Sequence, residues 1–221
     1  MDLKKLLTKK ITRENLDCFI KKHTTNKKTL DLGCGTSPYS KYFPNRVGMD
    51  LKKSQDINLV GDAHRLPFKE EIFDIVLATE VLEHLKNPQI AINEMGRVLK
   101  HNGKLIITTR FIFPLHDTPN DYYRYTKYGL KHLLRKWNVV EIKEETDTMG
   151  AVSVLFQRIA IQCDILHFKL MNFFFHIIAQ LMKHFSFIIK GEYGAKNLPE
   201  SNIMTSGYYV IAFKEKNVSK N

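Results

Sequence analysis

Acids at the ends of apolar runs, and one crowded loop, hold the residues of this chain that could do chemistry. In Thr29-Leu30-Asp31-Leu32-Gly33-Cys34-Gly35-Thr36-Ser37-Pro38-Tyr39 an apolar strand closes on Asp31 and enters a glycine turn. Gly33 and Gly35 supply backbone that can take positive φ and come close to a ligand. Ser37 suits the cap and Pro38 the first position of a following helix. A second strand, Arg46-Val47-Gly48-Met49-Asp50, ends in Asp50, 17 residues beyond Gly33. A carboxylate at that distance accepts both hydroxyls of a ribose. This is a seat for a nucleoside-type cofactor on a doubly wound sheet. It is not a dinucleotide fingerprint, because Pro38 stands where the third glycine belongs, and no Gly-Lys-Ser/Thr of a phosphate loop follows.

The second concentration of chemistry lies in residues 113–134. His116 and Asp117 follow an apolar strand, on the carboxyl edge where ligands bind. Asp121, Tyr122, Tyr123, Arg124 and Tyr125 then crowd rings, donors and acceptors into one turn. Aromatic faces suit the C–H surface of a sugar, and His, Asp and Arg suit its hydroxyls or a phosphate. A purely structural pairing of Asp121 with Arg124 is the competing reading. His116 is the first candidate for a general base because imidazole can be neutral at pH 7, and Asp117 is the second. Thr126 is expected to cap a helix over Lys127–Trp137.

The elements that must position these residues follow in order. Gly61-Asp62-Ala63-His64-Arg65-Leu66-Pro67-Phe68 comes after the second strand. Phe73–Ala78 reads as a buried strand, and Thr79-Glu80-Val81-Leu82-Glu83-His84-Leu85 follows it towards an expected helix. Arg97–Thr109 contains a helix end, a turn and another strand. Together with the glycine turn, these five blocks over residues 29–110 resemble the motifs of class I S-adenosylmethionine (SAM) methyltransferases. The resemblance implies a doubly wound, seven-stranded, mostly parallel sheet of Rossmann-like type, with one strand reversed at its edge and SAM as cofactor. Carried onto this sequence, cofactor contacts fall on Asp31, Gly33, Gly35, Asp50, Leu51, Asp62, Ala63 and Thr79. Asp62 would accept from the adenine amino group and the Ala63 N–H would reach the ring. The third glycine of the turn is replaced by Ser37. Glu80, Glu83 and His84 read either as acids favoured at a helix start or as site residues, and His84 is taken with Tyr122, Tyr123 and Arg124 as substrate-binding. The loop itself resembles a "P-x-H-…-P-x-D-Y-x-R-Y/F-T-x-x-G-L" element of methyltransferases that accompany bacterial surface-polysaccharide enzymes. That resemblance implies O-methylation of a small-molecule or glycan acceptor, soluble or lipid-linked.

Composition agrees with one globular domain over residues 1–221. Cys18, Cys34 and Cys163 form no disulfide or metal spacing, so no metal is predicted and a reducing cytosol is expected. The start Met1-Asp2-Leu3-Lys4-Lys5 lacks the apolar core of a secretion signal. The formal net charge of +11 comes from dispersed lysines. With no basic run interleaved with stacking aromatics, nucleic acid is disfavoured as a partner, although an RNA methyltransferase and a non-catalytic SAM-binding module stand as alternatives. Residues 151–206 are expected to be an apolar helical insertion before the last strand, Gly207–Phe213. Within it, 13 residues between Lys169 and Lys183 carry no formal charge, too few to span a bilayer. Asn172, His176, Gln180 and His184 recur every fourth residue as a narrow polar stripe. Three roles are open to the stretch 165–190: core packing, a homodimer face, or peripheral contact with the inner face of a membrane.

Overall fold

The structure is a computed structural model that describes residues 10–36, 38–184 and 204–215. Ser37, with its expected capping role, and the insertion beyond His184 up to residue 203 lie outside the described residues. The chain forms two compact units: Phe19–Arg110, His116–Lys143 and Tyr208–Asn221 in one, and Met1–Cys18, Phe111–Leu115 and Glu144–Gly207 in the other.

The sheet is built from β1 (Thr29–Leu32), β2 (Arg46–Asp50), β3 (Leu59–Val60), β4 (Phe73–Thr79), β5 (Leu99–Arg110), β6 (Asn138–Glu144) and β7 (Gly207–Phe213). Their order is β3-β2-β1-β4-β5-β7-β6. The pairs β1–β2, β1–β4, β2–β3 and β4–β5 are parallel. β1 is buried at all four residues and β4 at Phe73 and Ile75–Ala78, as expected of central strands covered on both faces. β7 runs against β5. Lys214 N donates to Gly103 O at 3.0 Å, and Phe111 N to Ser206 O at 3.0 Å, so numbers rise on one strand as they fall on the other. The mostly parallel seven-stranded sheet is as expected, but the reversed strand lies one in from the edge. Its end is pinned by Lys214, 2% exposed, whose ammonium donates to Leu99 O at 2.8 Å and pairs with Glu71 at 3.1 Å.

Three helix expectations are corrected. After the glycine turn there is only a 3₁₀ turn, Ser40–Tyr42, with Tyr39 at its N-cap and no side-chain cap. Ten residues separate Gly35 from β2, and Pro44 bars helix from the residue before it. After β4 comes another 3₁₀ turn, Leu82–His84, before α2 (Pro88–Val98); α1 is Ile11–Lys21. α3 spans Lys127–Leu133 and ends short of Trp137. Its last turn tightens, with Arg135 N donating to His132 O and Trp137 N to Leu134 O. Its start is as expected: Thr126 Oγ1 accepts from Gly129 N at 3.0 Å.

In the other unit, α4 (Thr148–Ile165) and α5 (Lys169–His184) form a hairpin. Asp147 caps α4, accepting from Gly150 N at 2.7 Å. Ser153 donates to Ala179 O, and Asn172 to Ala160 O at 2.8 Å, which makes the helices antiparallel. The polar stripe therefore faces α4. His176 is 4% exposed, while Leu170, Phe173, Phe174 and Leu181 on the flanks of the stripe are 46–82% exposed. Asn172 and His176 of the stripe thus meet α4, as does Phe175, which stacks on Phe156, while His184 and the four apolar side chains named above are exposed.

Candidate functional site

Parallel pairing brings the carboxyl ends of β1, β2, β3, β4 and β5 to one edge of the sheet. The chain reverses its direction of travel between β1 and β4, the crevice where open sheets of this kind bind ligands. The glycine turn sits at that edge. Gly33 has φ +65° and Gly35 φ +52°, both left-handed. A Cβ on Gly33 would collide with Val81 Cγ2, whereas a Cβ on Gly35 would meet nothing within 4 Å. Gly33 thus serves close packing of turn against chain, and Gly35 faces open space.

Asp50 ends β2 beside this turn. Its Oδ2 accepts from Gly35 N at 2.9 Å and its Oδ1 from Lys52 N at 3.1 Å. A carboxylate has about four lone-pair sites, so two are left for a diol. Leu51 next to it is 66% exposed, an apolar surface suited to a base. Asp62 Oδ1 takes both the backbone and the ring of His64, at 2.9 and 2.6 Å, while His64 Nε2 accepts from Asn87 N at 3.2 Å. These bonds hold the Asp62 carboxyl below its ordinary range. Ala63 is buried beside it. Thr79 closes β4 opposite Thr108. Asp31 is 1% exposed, and its Oδ1 has no hydrogen-bond partner. Burial pushes its carboxyl up to about 7 against the opposing pull of Arg46, 3.5 Å away.

The loop after β5 is fastened onto the segment after β4. Glu83 O accepts from Tyr122 N at 2.9 Å and Tyr123 N at 3.2 Å. Tyr123 Oη donates to Lys86 O, Tyr125 Oη to Leu82 O, and Tyr122 Oη to Asn120 Oδ1. His116 and His84 meet edge to face at 4.7 Å, and Asp117 Oδ2 lies 4.0 Å from His84 Nε2. Burial lowers the pKa of His116, with Asp121 opposing, which favours a neutral ring near pH 7. Arg124 is held by Asp121 through two bonds of 2.6 Å. The structural pairing of these two is therefore real, and it holds the Asp121 carboxyl well below the usual range. Arg124 first shapes the loop.

Beneath this loop lie Glu80 and Glu83, open candidates in the sequence, and Arg110, which sequence reasoning missed. Arg110, 6% exposed, ends β5 and pairs with Glu80, which also accepts from Thr108 Oγ1 at 2.8 Å. Glu80 and Asp117 both have positive φ, 56° and 51°. Such strain gathers at functional sites. Glu83 is fully buried and accepts from Thr109 Oγ1 at 2.7 Å. Burial raises its pKa. An arginine closing an apolar strand, Ile106-Ile107-Thr108-Thr109-Arg110, was the available signal.

A 3-2-1-4-5-7-6 sheet with a glycine turn and acids at its carboxyl edge is a Rossmann-like fold shared with solved methyltransferases. Residues 30–107 match the family model "Methyltransferase domain". Over 102 residues the chain is 32% identical to a malonyl-[acyl-carrier protein] O-methyltransferase of Herminiimonas arsenicoxydans, covering 40% of this chain and 39% of that one. The chain spans less than half the length of the curated relatives it matches, such as this one. Among solved structures, phosphoethanolamine N-methyltransferase 2 of Haemonchus contortus with SAM superimposes with TM-score 0.59 at 18% identity, covering 92% of this chain and 53% of that one. The [4+2]-cyclase SpnF gives TM-score 0.60 at 16% identity, covering 92% and 80%. At these identities the structures share the fold alone, and one fold hosts different chemistries.

Proposed function

We propose that this chain binds SAM at the glycine turn and transfers its methyl group to an oxygen of a small-molecule or glycan acceptor. The observation that carries the reading is the open space at Gly35 beside an Asp50 carboxylate with acceptor capacity to spare. Bound there, SAM supplies an activated methyl sulfonium, so no covalent enzyme intermediate is needed. Asp50 accepts from the ribose hydroxyls, Asp62 from the adenine amino group, and the buried Asp31 stands near neutrality at the turn. Beyond β5, His116 takes the acceptor proton as a neutral imidazole, and Tyr122 and Tyr123 offer ring faces. The work of the protein is alignment and exclusion of water. A surface-polysaccharide acceptor is the finer form of this proposal, supported by the loop motif alone.

Calorimetry tests it. SAM should bind in the micromolar range, on the order of −8 kcal/mol. Asp50→Ala should weaken it by about 1.5–3 kcal/mol. No binding by folded wild type, or equal binding by the variant, defeats the reading. Binding without transfer of labelled methyl to any acceptor in cell extracts would instead indicate a non-catalytic module.

We also propose that the outward apolar face of α5, in a chain of net charge +11, rests on an anionic membrane surface, where a lipid-carried acceptor is met. Among the described residues no helix is long and apolar enough to cross a membrane.

A further inference from the structure

Glu83, His84 and His116 bring one carboxylate oxygen and two imidazole nitrogens within 4.8 Å of one another. The donors come from two segments, the 3₁₀ turn after β4 and the loop after β5, so no short sequence spacing announces them. Glu83 is 0% exposed. One of its oxygens accepts from Thr109, and the other, Oε1, has no hydrogen-bond partner. Buried acceptors are ordinarily satisfied, and one left bare asks for a ligand. The guanidiniums of Arg110 and Arg124 attract this carboxylate from nearby while they pair with Glu80 and Asp121.

Both imidazoles are oriented from behind. His84 Nδ1 lies 2.7 Å from Asn120 O and can only donate to it, which leaves Nε2 as the lone-pair nitrogen. His116 Nδ1 faces both Asp121 Oδ2, at 3.4 Å, and Arg124 Nη2, at 3.5 Å. A ring N–H given to a carbonyl or carboxylate is the outer-shell arrangement that orients metal-bound histidines. We propose that Glu83, His84 and His116 bind one divalent transition-metal ion, with zinc the ion that best suits two imidazoles and a carboxylate, and with a further position open to an acceptor oxygen. Adjacent ligands of a tetrahedral zinc stand about 3.3 Å apart, so the donors close by on the order of 1 Å when the ion enters. His84 and His116 have side chains 19% and 22% exposed. With the ion bound, His116 is a ligand, and the ion faces the acceptor in its place.

The inference goes beyond methyl transfer and is measured without SAM. The full chain, stripped with a chelator, is titrated with Co²⁺, followed by visible d–d absorption, and the ion is then displaced with Zn²⁺. One equivalent should bind with bands of a nitrogen–oxygen site. His84→Ala and His116→Ala should each weaken Co²⁺ by more than the ~100-fold that loss of an outer-shell partner costs. Near-UV circular dichroism checks that both variants are folded, and SAM calorimetry on the same samples reports separately on the methyltransferase reading. Absence of uptake by folded wild type overturns the site. So does uptake that survives the double variant, or a thiolate charge-transfer band placing the ion on a cysteine.

Discussion

Asp31 carries a carboxyl group where water scarcely reaches, and its consequence is a pH dependence. Its folded pKa, about 7, lies above the ordinary value of 3.8. Between those values the folded state holds the extra proton, so stability is full below about pH 4 and falls as pH rises towards 7. Asp31→Asn should flatten this slope and stabilise the protein at neutral pH, by at most ~4 kcal/mol. Thermal melts of both proteins from pH 4 to 8 decide it; parallel curves would show that the carboxyl is already ionised in the fold. His116→Ala should cut turnover by about 10²–10⁴-fold with SAM affinity unchanged. A merely structural loop would instead lose melting temperature with turnover per folded molecule intact. Asp50 was legible in the sequence because strand, turn and spacing all pointed to one carboxylate. Glu83 was legible only as one of two open readings, since its burial and its meeting with His116 depend on a loop folding back across the strand ends.

At the scale of elements, the turn after β1 makes two glycines unequal. Gly33→Ala meets both positive φ and the Val81 side chain, whereas Gly35→Ala meets only the φ penalty of about 1–2 kcal/mol. Gly33→Ala should therefore destabilise more in urea, and Val81→Ala should restore part of the loss. Gly35→Ala should leave the fold nearly intact and weaken SAM binding by filling the open space. If both variants melt alike, the packing of Val81 on the turn is not what distinguishes them. The strands were legible because apolar runs bounded by Gly, Pro and acids mark them; β2 and β7 lie where expected. The helix after the turn was not, because a cap and a proline signal a start but say nothing of the chain length available before β2. Nor was the facing of α5. Periodicity shows that a helix has two faces, and a thin polar stripe against α4 can be told from one against solvent only once α4 is placed.

At the scale of the molecule, charge and exposed apolar surface act together. The dispersed lysines contribute about 1 kcal/mol each near anionic headgroups, and α5 adds Leu170, Phe173, Phe174 and Leu181. Anionic vesicles should float the protein at low salt and release it at high salt. Phe174→Asp with Leu181→Asp should abolish flotation while SAM binding persists. Protein that stays in the supernatant at low salt excludes the lipid surface, and a dimer broken by the same changes would assign the face to a second copy. The seven-stranded, mostly parallel sheet could be read ahead from five ordered blocks that resemble a known family, though the place of its reversed strand could not. The partition into two units could not, because the chain passes between them at 18/19, 110/111, 115/116, 143/144 and 207/208. That interleaving bears on how such a protein can be recombined. No single crossover exchanges one unit for another. A transplant of the α4–α5 region needs two junctions, at 143/144 and 207/208, and leaves behind the strip 111–115 and the segment before residue 19. New specificities in this architecture are thus reached by substitution within loops more readily than by shuffling of modules.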